Sequence, residues 1–502
     1  MNKKVCLYYL FIAISIPLLM SSVFLALEAS HQSIFSIMPS WNDEDFYFNQ
    51  IKAILEYGHP LGYFGYEGSH APIGNFGAHG WFILMPYAIF CKIFGLHFNS
   101  IAVLNHILLM LAILTYELCF KPPVRKAVLF ATMIFSPMLI FYTNTSMMEG
   151  ENYFWAIMAA VLMAHIAYNE GGRGAKTVLA VIIALAVLSK VTWSVLIFPF
   201  MLILLKGKQG KPIVKVIFSG TVTLAGGIIG YIFSSIFAAP YFSGTYFIDR
   251  YRNLIADNSI VPGVLGVVKE FIKNFIATFS PYDANWITIS VHYILAVAFA
   301  EIIFLFIFYK KKKAFSYIPL LVMGESICGI LLLYGAGAPA IRNIYPTAVF
   351  GIAYILSSLT MEKLKYFVYS VATVFLLGTM IVQSWWGFEP RRWYSAENVA
   401  AYAEIEEHMQ NIKVDEGAET PWDNTLIISL SPCPDTILEL FAPAGVGINY
   451  YTILPEDTAG LKAEYILLSN DNVYELQKAT NGGYVIIDEF WNAILLKKQK
   501  PN

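Results

Sequence analysis

Charge is scarce in this sequence: Asp, Glu, Lys and Arg make up 14% of 502 residues, against about a quarter in ordinary soluble domains. Such a chain cannot clothe a water-facing surface of its own size. With 57% hydrophobic residues and a mean hydropathy of +0.58, its main solvent is expected to be the lipid bilayer. Cysteine is scarce too. Cys6, Cys91, Cys119, Cys328 and Cys433 mostly sit in apolar runs without paired spacing, which argues against a disulfide framework and against a cysteine-built zinc site. There is no P-loop and no Gly-rich dinucleotide fingerprint, and no internal repeat or low-complexity linker stands out. The net charge of -2 decides little, because the charges are sorted by position, and no nucleic-acid partner is expected.

What the chain has in quantity is apolar runs of membrane-crossing length, about 20 residues each. Expected spans lie near 5–27, 101–119, 124–142, 151–168, 176–190, 192–205, 213–237, 287–309, 314–335, 344–360 and 366–386. The run 176–205 is too long for one crossing and is split at Ser189-Lys190. The apolar run 81–98 contains Pro86 and Lys92. If it does not cross, 17 of the 33 lysines and arginines fall in loops on the side of the N-terminus, including Lys310 to Lys313. The positive-inside rule then favours a surface or re-entrant helix over 81–98. The expected fold is an α-helical polytopic membrane protein of about 11 transmembrane helices, with a cytoplasmic N-terminus and an extracytoplasmic C-terminus. The first span is read as a retained signal anchor, since its apolar stretch exceeds a signal-peptide core.

Three pieces are expected outside the membrane. They are a first outer loop over 28–80, a second over 238–286 and a small α/β domain over 387–502, which leaves 1–386 as the transmembrane domain. In the second loop Val264–Phe279 is amphipathic and predicted to lie on the membrane surface. In the C-terminal region, strands are predicted at Thr425–Leu430, Ile448–Ile453 and Tyr465–Leu468, with helices at Pro434–Phe441 and Asn472–Ala479. Tyr484–Ile487 and Ala493–Lys497 predict a terminal strand pair.

The residues that could carry chemistry gather just after the first span. Asp43, Glu44 and Asp45 stand together at the start of a helical pattern running to Gly58. Acids favour the first turn of a helix through its dipole. Any one of the three could be a cap, but three among aromatic residues beside the bilayer exceed what a cap needs. Cations are few on this side of the membrane. Lys190 sits between two apolar runs, and Arg342 precedes Tyr345-Pro346. An ionisable residue at membrane depth is costly and is a functional candidate by default, and an arginine can meet phosphate oxygens bidentately. Lys190 reads equally well as a snorkelling anchor. Glu149 and Glu151 are pocket acids or helix-start charges. His31, His59, His70 and His79 crowd one loop at spacings that match no standard zinc motif. Arg391-Arg392 beside Trp385-Trp386 reads as an interface anchor.

Asp43-Glu44-x-x-Tyr47, then Gly58, His70-Ala71-Pro72-Ile73-Gly74 and Ile93-Phe94-Gly95, resembles the first outer loop of GT-C glycosyltransferases. The nearest patterns are those of protein O-mannosyltransferases and lipid A aminoarabinose transferases. Those families commonly carry two prolines after a basic residue, where this chain has His70-Ala71-Pro72. The resemblance implies transfer of a sugar from a polyprenyl-phosphate donor to an extracytoplasmic acceptor, in a plasma membrane if the chain is bacterial. It implies Asp43 as the base, by its match to the first acid of the family's pair, with Glu44 or Glu67 orienting the acceptor. Tyr47, Glu67, His70, Arg342 and Tyr345 are the implied substrate contacts, and Lys190 joins them as a rare cation at membrane depth. The pair Asp43-x-Asp45 also resembles metal-binding acids of oligosaccharyltransferases, so a divalent metal ion at these two residues is the one cofactor considered. A polyprenyl phosphate is already a fair leaving group, so one base and one positive charge suffice. Direct displacement with one base predicts inversion at the anomeric carbon. A lipid-linked sugar flippase or polymerase and a secondary transporter are the alternatives, the last of which would favour paired repeats with broken helices.

Overall fold

The computed structural model describes residues 3–28, 32–40, 42–60, 64–67, 69–70, 81–169, 171–236, 260–280, 286–310, 315–333, 335–358, 392–413, 426–430 and 436–499. Outside the described residues lie Trp41, His31, His79, Ala71 to Gly74, the second loop up to residue 259, the expected span 366–386, Trp385, Trp386 and Arg391.

The apolar runs form helices: α1 (Lys3–Glu28), α4 (Ser100–Phe120), α7 (Glu149–Asn169), α8 (Arg173–Ser189), α9 (Ile197–Leu204) and α10 (Pro212–Ile236). They continue with α11 (Ile260–Phe279), α12 (Trp286–Lys310), α13 (Ile318–Leu333) and α14 (Ala338–Ser358). Among the described residues, four helices are long and apolar enough to cross a membrane: α1, α4, α10 and α12. The expected span 124–142 is broken. It forms α5 (Val124–Met133) and α6 (Pro137–Thr143), bent by 85°. Pro137 is the cause, because proline cannot accept a preceding helical turn and forces the residue before it into extended backbone. Ser136 accordingly sits at φ -142°, ψ 162°. Counting that pair as one span brings the number to five. The long run 176–205 divides where charge and polarity predict, with α8 ending at Ser189 and Lys190 in extended backbone. The helix over 81–98 is α3 (Trp81–Phe94), with 14 residues, shorter than the roughly 20 a crossing needs.

The core of the bundle is α7. Nearly every side chain from Glu149 to Ala164 is buried. Ala156, Ala159, Ala160 and Ala164 are small enough to let α4 and α14 approach closely.

The other part of the fold is a seven-stranded mixed sheet in the order β2-β1-β4-β3-β5-β7-β6. Its C-terminal strands are β3 (Leu426–Ser429), β4 (Ile448–Tyr451), β5 (Tyr465–Ser469), β6 (Tyr484–Phe490) and β7 (Ala493–Lys498), each overlapping a predicted strand. Predicted helix Asn472–Ala479 is α16 (Val473–Asn481), whereas Thr436–Phe441 is a single stretch of 3-10 helix. The two strands that complete the sheet come from the first loop: β1 (Phe64–Tyr66) and β2 (Ser69–His70). β1 runs parallel to β4 with Gly65 opposite Asn449. The sheet is thus shared between the two ends of the sequence. Further ties join them: Ile37 bridges Trp393, Tyr394 N–H donates to the Ser36 carbonyl at 2.8 Å, and Arg392 N–H donates to Ser40 Oγ at 3.1 Å. After these contacts the chain enters α15 (Val399–Met409).

Candidate active site

The acidic cluster opens α2 (Asn42–Tyr57), the helix that lies between the bundle and the C-terminal part. At 100° per residue, Asp43 and Asp45 stand about 200° apart around its axis. This separation sends them to different partners.

Asp43 faces the bundle. Arg342, near the start of α14, donates from Nη1 to Asp43 Oδ2 at 3.1 Å and from Nε to Glu149 Oε1 at the start of α7. The guanidinium carbon lies 5.7 Å from the centre of the Tyr142 ring, in range of a cation–π contact. Tyr47, one turn along α2 from Asp43, is a hydrogen-bond partner of Arg342. The three charged side chains are nearly closed off from solvent, at 7% exposure for Asp43, 6% for Glu149 and 16% for Arg342. Burial pushes the Asp43 carboxyl up to about 7 against the opposing pull of Arg342, with Glu149 and Asp45 adding to the rise. Glu149 Oε2 is buried with no hydrogen-bond partner among the described residues. Buried polar atoms are nearly always paired, so this oxygen is free to accept from a ligand.

Asp45 faces the C-terminal part. Arg392 donates to its two carboxylate oxygens at 3.1 and 3.4 Å. Glu439, which accepts from the Tyr450 hydroxyl, lies close enough to feel the Asp45 charge, and burial raises its carboxyl. Arg392, expected as a membrane-interface anchor, is therefore the countercharge of the third acid. The Trp-Arg run concealed this, because its partner lies 347 residues earlier in the sequence.

The remaining candidates separate. Glu44 is a bracing residue: Ser40 N–H donates to its Oε2 at 2.6 Å and Ser146 N–H to its Oε1 at 3.0 Å. With both oxygens holding backbone, it fixes α2 against the loop before α7. Glu67 is exposed at the end of β1 and accepts from Thr452 N–H at 2.8 Å. It serves the sheet, and His70 lies on β2 beside it. Tyr345 is fully buried, stacked on Tyr293 at 4.8 Å and edge-on to Tyr153 at 6.3 Å. It packs in the core one turn along α14 from Arg342. Lys190 ends α8 within electrostatic reach of Glu149, Glu151 and Arg342, so it joins the Asp43 cluster. Glu151 is buried, accepting from Trp155 Nε1 at 2.8 Å and Ser189 Oγ at 2.6 Å.

A divalent cation does not fit the Asp43–Asp45 pair. The two carboxylates diverge around the helix, and each already faces a guanidinium. Among the described residues no group of three or more His, Cys, Asp and Glu side chains is placed to hold a metal ion.

The start of α7 is set by Asn105 on α4. Its amide donates to the carbonyls of Met147 at 2.8 Å and Thr145 at 3.2 Å, and its oxygen accepts from the Tyr87 hydroxyl at 2.8 Å. Gly150 lies directly against it: a Cβ there would meet Asn105 Oδ1 at 2.2 Å. Gly150→Ala should displace Asn105 and cost about 1–3 kcal/mol, as overpacking in a filled core does. The check is a lowered midpoint of thermal unfolding in detergent, and an unchanged midpoint would show that the contact yields freely.

No protein-family model matches the chain, and no curated protein matches it by sequence. Solved structures do match. The oligosaccharyltransferase of Archaeoglobus fulgidus, tethered to an acceptor peptide containing the NVT sequon, aligns at 13% identity with a TM-score of 0.52, covering 98% of this chain and 74% of that one. Its apo form aligns at 13% identity with a TM-score of 0.50, covering 93% and 71%. ArnT from Cupriavidus metallidurans, bound to undecaprenyl phosphate, aligns at 12% identity with a TM-score of 0.47, covering 96% and 97%. The chain has the fold of the Archaeoglobus oligosaccharyltransferase.

Proposed function

We propose that this chain is an integral membrane glycosyltransferase that moves a sugar from a polyprenyl-phosphate-linked donor to an extracytoplasmic acceptor, a cell-envelope lipid, polysaccharide or protein. The observation that carries the reading is the buried cluster of Arg342 with Asp43 and Glu149. The shared fold supports it, as does the Archaeoglobus enzyme's capture with an acceptor peptide. We place the chain in the plasma membrane with about eleven spans, its N-terminus cytoplasmic and its C-terminus extracytoplasmic.

In this reading Asp43 is the general base and accepts the proton of the acceptor hydroxyl. A carboxyl held near 7 is suited to that task at neutral pH, because it is ionised in part and still a stronger base than a free aspartate. Arg342 swings its guanidinium toward the departing polyprenyl phosphate, where two parallel N–H donors match two phosphate oxygens. Lys190 adds positive charge behind it, and the free Oε2 of Glu149 takes a hydroxyl of the sugar or the acceptor. The acceptor oxygen bonds to the anomeric carbon as the bond to phosphate breaks, and the configuration inverts. The test is a panel of polyprenyl-phosphate sugars offered to the purified chain with envelope extract, followed by NMR of the product. An inverted anomer is expected, and a retained one would overturn the single-base mechanism.

A further inference from the structure

The face of α2 opposite Asp43 has its own feature. Asp45, Phe48 and Lys52 lie along that face, since steps of three and seven residues return nearly to the same side of a helix. Beside them is a cavity of about 590 Å³, walled by α2, by the turn after α3 and by the C-terminal part. That is within the usual size range of small-ligand sites, about 300–1,000 Å³. Phe98 is its aromatic hub, with ring centres 5.7 Å from Phe48, 5.7 Å from Phe441 and 6.2 Å from Tyr394.

Two features narrow the ligand. First, the cavity contains opposite charges. Lys52 spends one N–H on the Ala442 carbonyl at 2.9 Å, and the exposed Glu406 acts on its charge from the same lining. An anion alone would meet the carboxylate, and a cation alone would meet the ammonium. Second, apolar side chains are exposed at the cavity's rim and on the short helix that leads into its lining residues Leu96 to Asn99. Phe35 at the rim is 70% exposed, and its carbonyl accepts from Asn99 Nδ2 at 3.3 Å just past the end of α3. On α3 itself Ile89, Ile93 and Phe94 are 53%, 67% and 65% exposed. An apolar strip of this kind at the end of a short helix belongs in the acyl region of a bilayer.

From this charge pair and strip we infer that the cavity is a headgroup site for an ethanolamine phospholipid of the surrounding membrane. The phosphate sits at Lys52, the primary ammonium donates to Glu406, and the acyl chains follow Phe35, Ile93 and Phe94. A choline headgroup has no N–H to donate to Glu406, and a glycerol headgroup has no positive charge to meet it. The site contains none of Asp43, Arg342 and Glu149, so it stands or falls independently of sugar transfer.

The test is native mass spectrometry of the full chain released from nanodiscs with equal parts ethanolamine, choline and glycerol phospholipid. Wild type should retain the ethanolamine lipid about tenfold over each of the others, as a charge-assisted hydrogen bond would give. Glu406→Gln should abolish that preference, and Lys52→Met should reduce retention of all three. Because Lys52 also braces Ala442, the exposed Glu406 provides the variant whose folding is not at risk. Equal retention by wild type, or a preference that persists in Glu406→Gln, would overturn the inference. A wild-type chain that selects the ethanolamine lipid but transfers sugar from no polyprenyl-phosphate donor would count against the proposed function and leave this site standing.

Discussion

Replacing Asp43 by Asn should lower sugar transfer by about 10²–10⁴-fold, the usual contribution of a positioned general base. The side chain keeps its size and can still accept from Arg342, so donor binding should change little. The wild-type rate should also depend on pH in a definite direction. Asp43 must be ionised to take a proton, and burial holds its carboxyl at about 7. Turnover is then expected to level off above that pH and to fall about tenfold per unit below it, as the ionised fraction does. An ordinary surface aspartate would put the same limb near pH 4. In Asp43→Asn the limb at about 7 should be absent from the residual rate. A wild-type rate that stays flat from pH 8 to 5 would show that a different group takes the proton.

Arg342→Met should have the second largest effect. In the proposed mechanism it removes the charge that stabilises the departing phosphate, a loss typical of about 10²–10³-fold in turnover. It also leaves Asp43 and Glu149 buried without their shared countercharge, and breaking a buried ion pair from one side costs about 3–5 kcal/mol. Stability and rate must therefore be separated. Arg342→Lys keeps the charge, so it should recover most of the thermal stability. A single ammonium cannot present the two parallel donors of a guanidinium, so the rate should remain well below wild type. Full recovery of the rate in Arg342→Lys would mean that charge alone matters and that no bidentate contact forms with phosphate.

Much of the architecture was legible because bilayer physics is one-dimensional. Apolar length located most of the described helices, and alternating short strands located the C-terminal sheet. The break at Pro137 was also within reach of the sequence, since proline after Ser136 sits in the middle of an expected span. The strands Phe64–Tyr66 and Ser69–His70 were not. Three residues of Phe-Gly-Tyr carry no strand periodicity, and they become a strand because β4 offers an unpaired edge.

The site divides in a similar way. Asp43 and Arg342 were visible because charges near a membrane are rare, and the structure joins them across 299 residues. The surroundings of Glu44 and Tyr345 were not legible, as residue type does not show that a carboxylate accepts from two backbone N–H groups or that a ring stacks in the core. The partner of Arg392 was hidden by sequence distance: Trp385 and Trp386 before it imply an interface, and nothing nearby in the sequence points to its ion pair with Asp45, two residues from the candidate base.

The most direct test of the central claim is release of free polyprenyl phosphate from a radiolabelled polyprenyl-phosphate sugar. It is measured with purified wild type and Asp43→Asn in lipid, with donor binding followed in parallel. The account predicts release by wild type matched by sugar on the acceptor, and donor bound but hardly turned over by the variant. Equal release by both proteins would contradict it, because the proton would then leave the acceptor without Asp43.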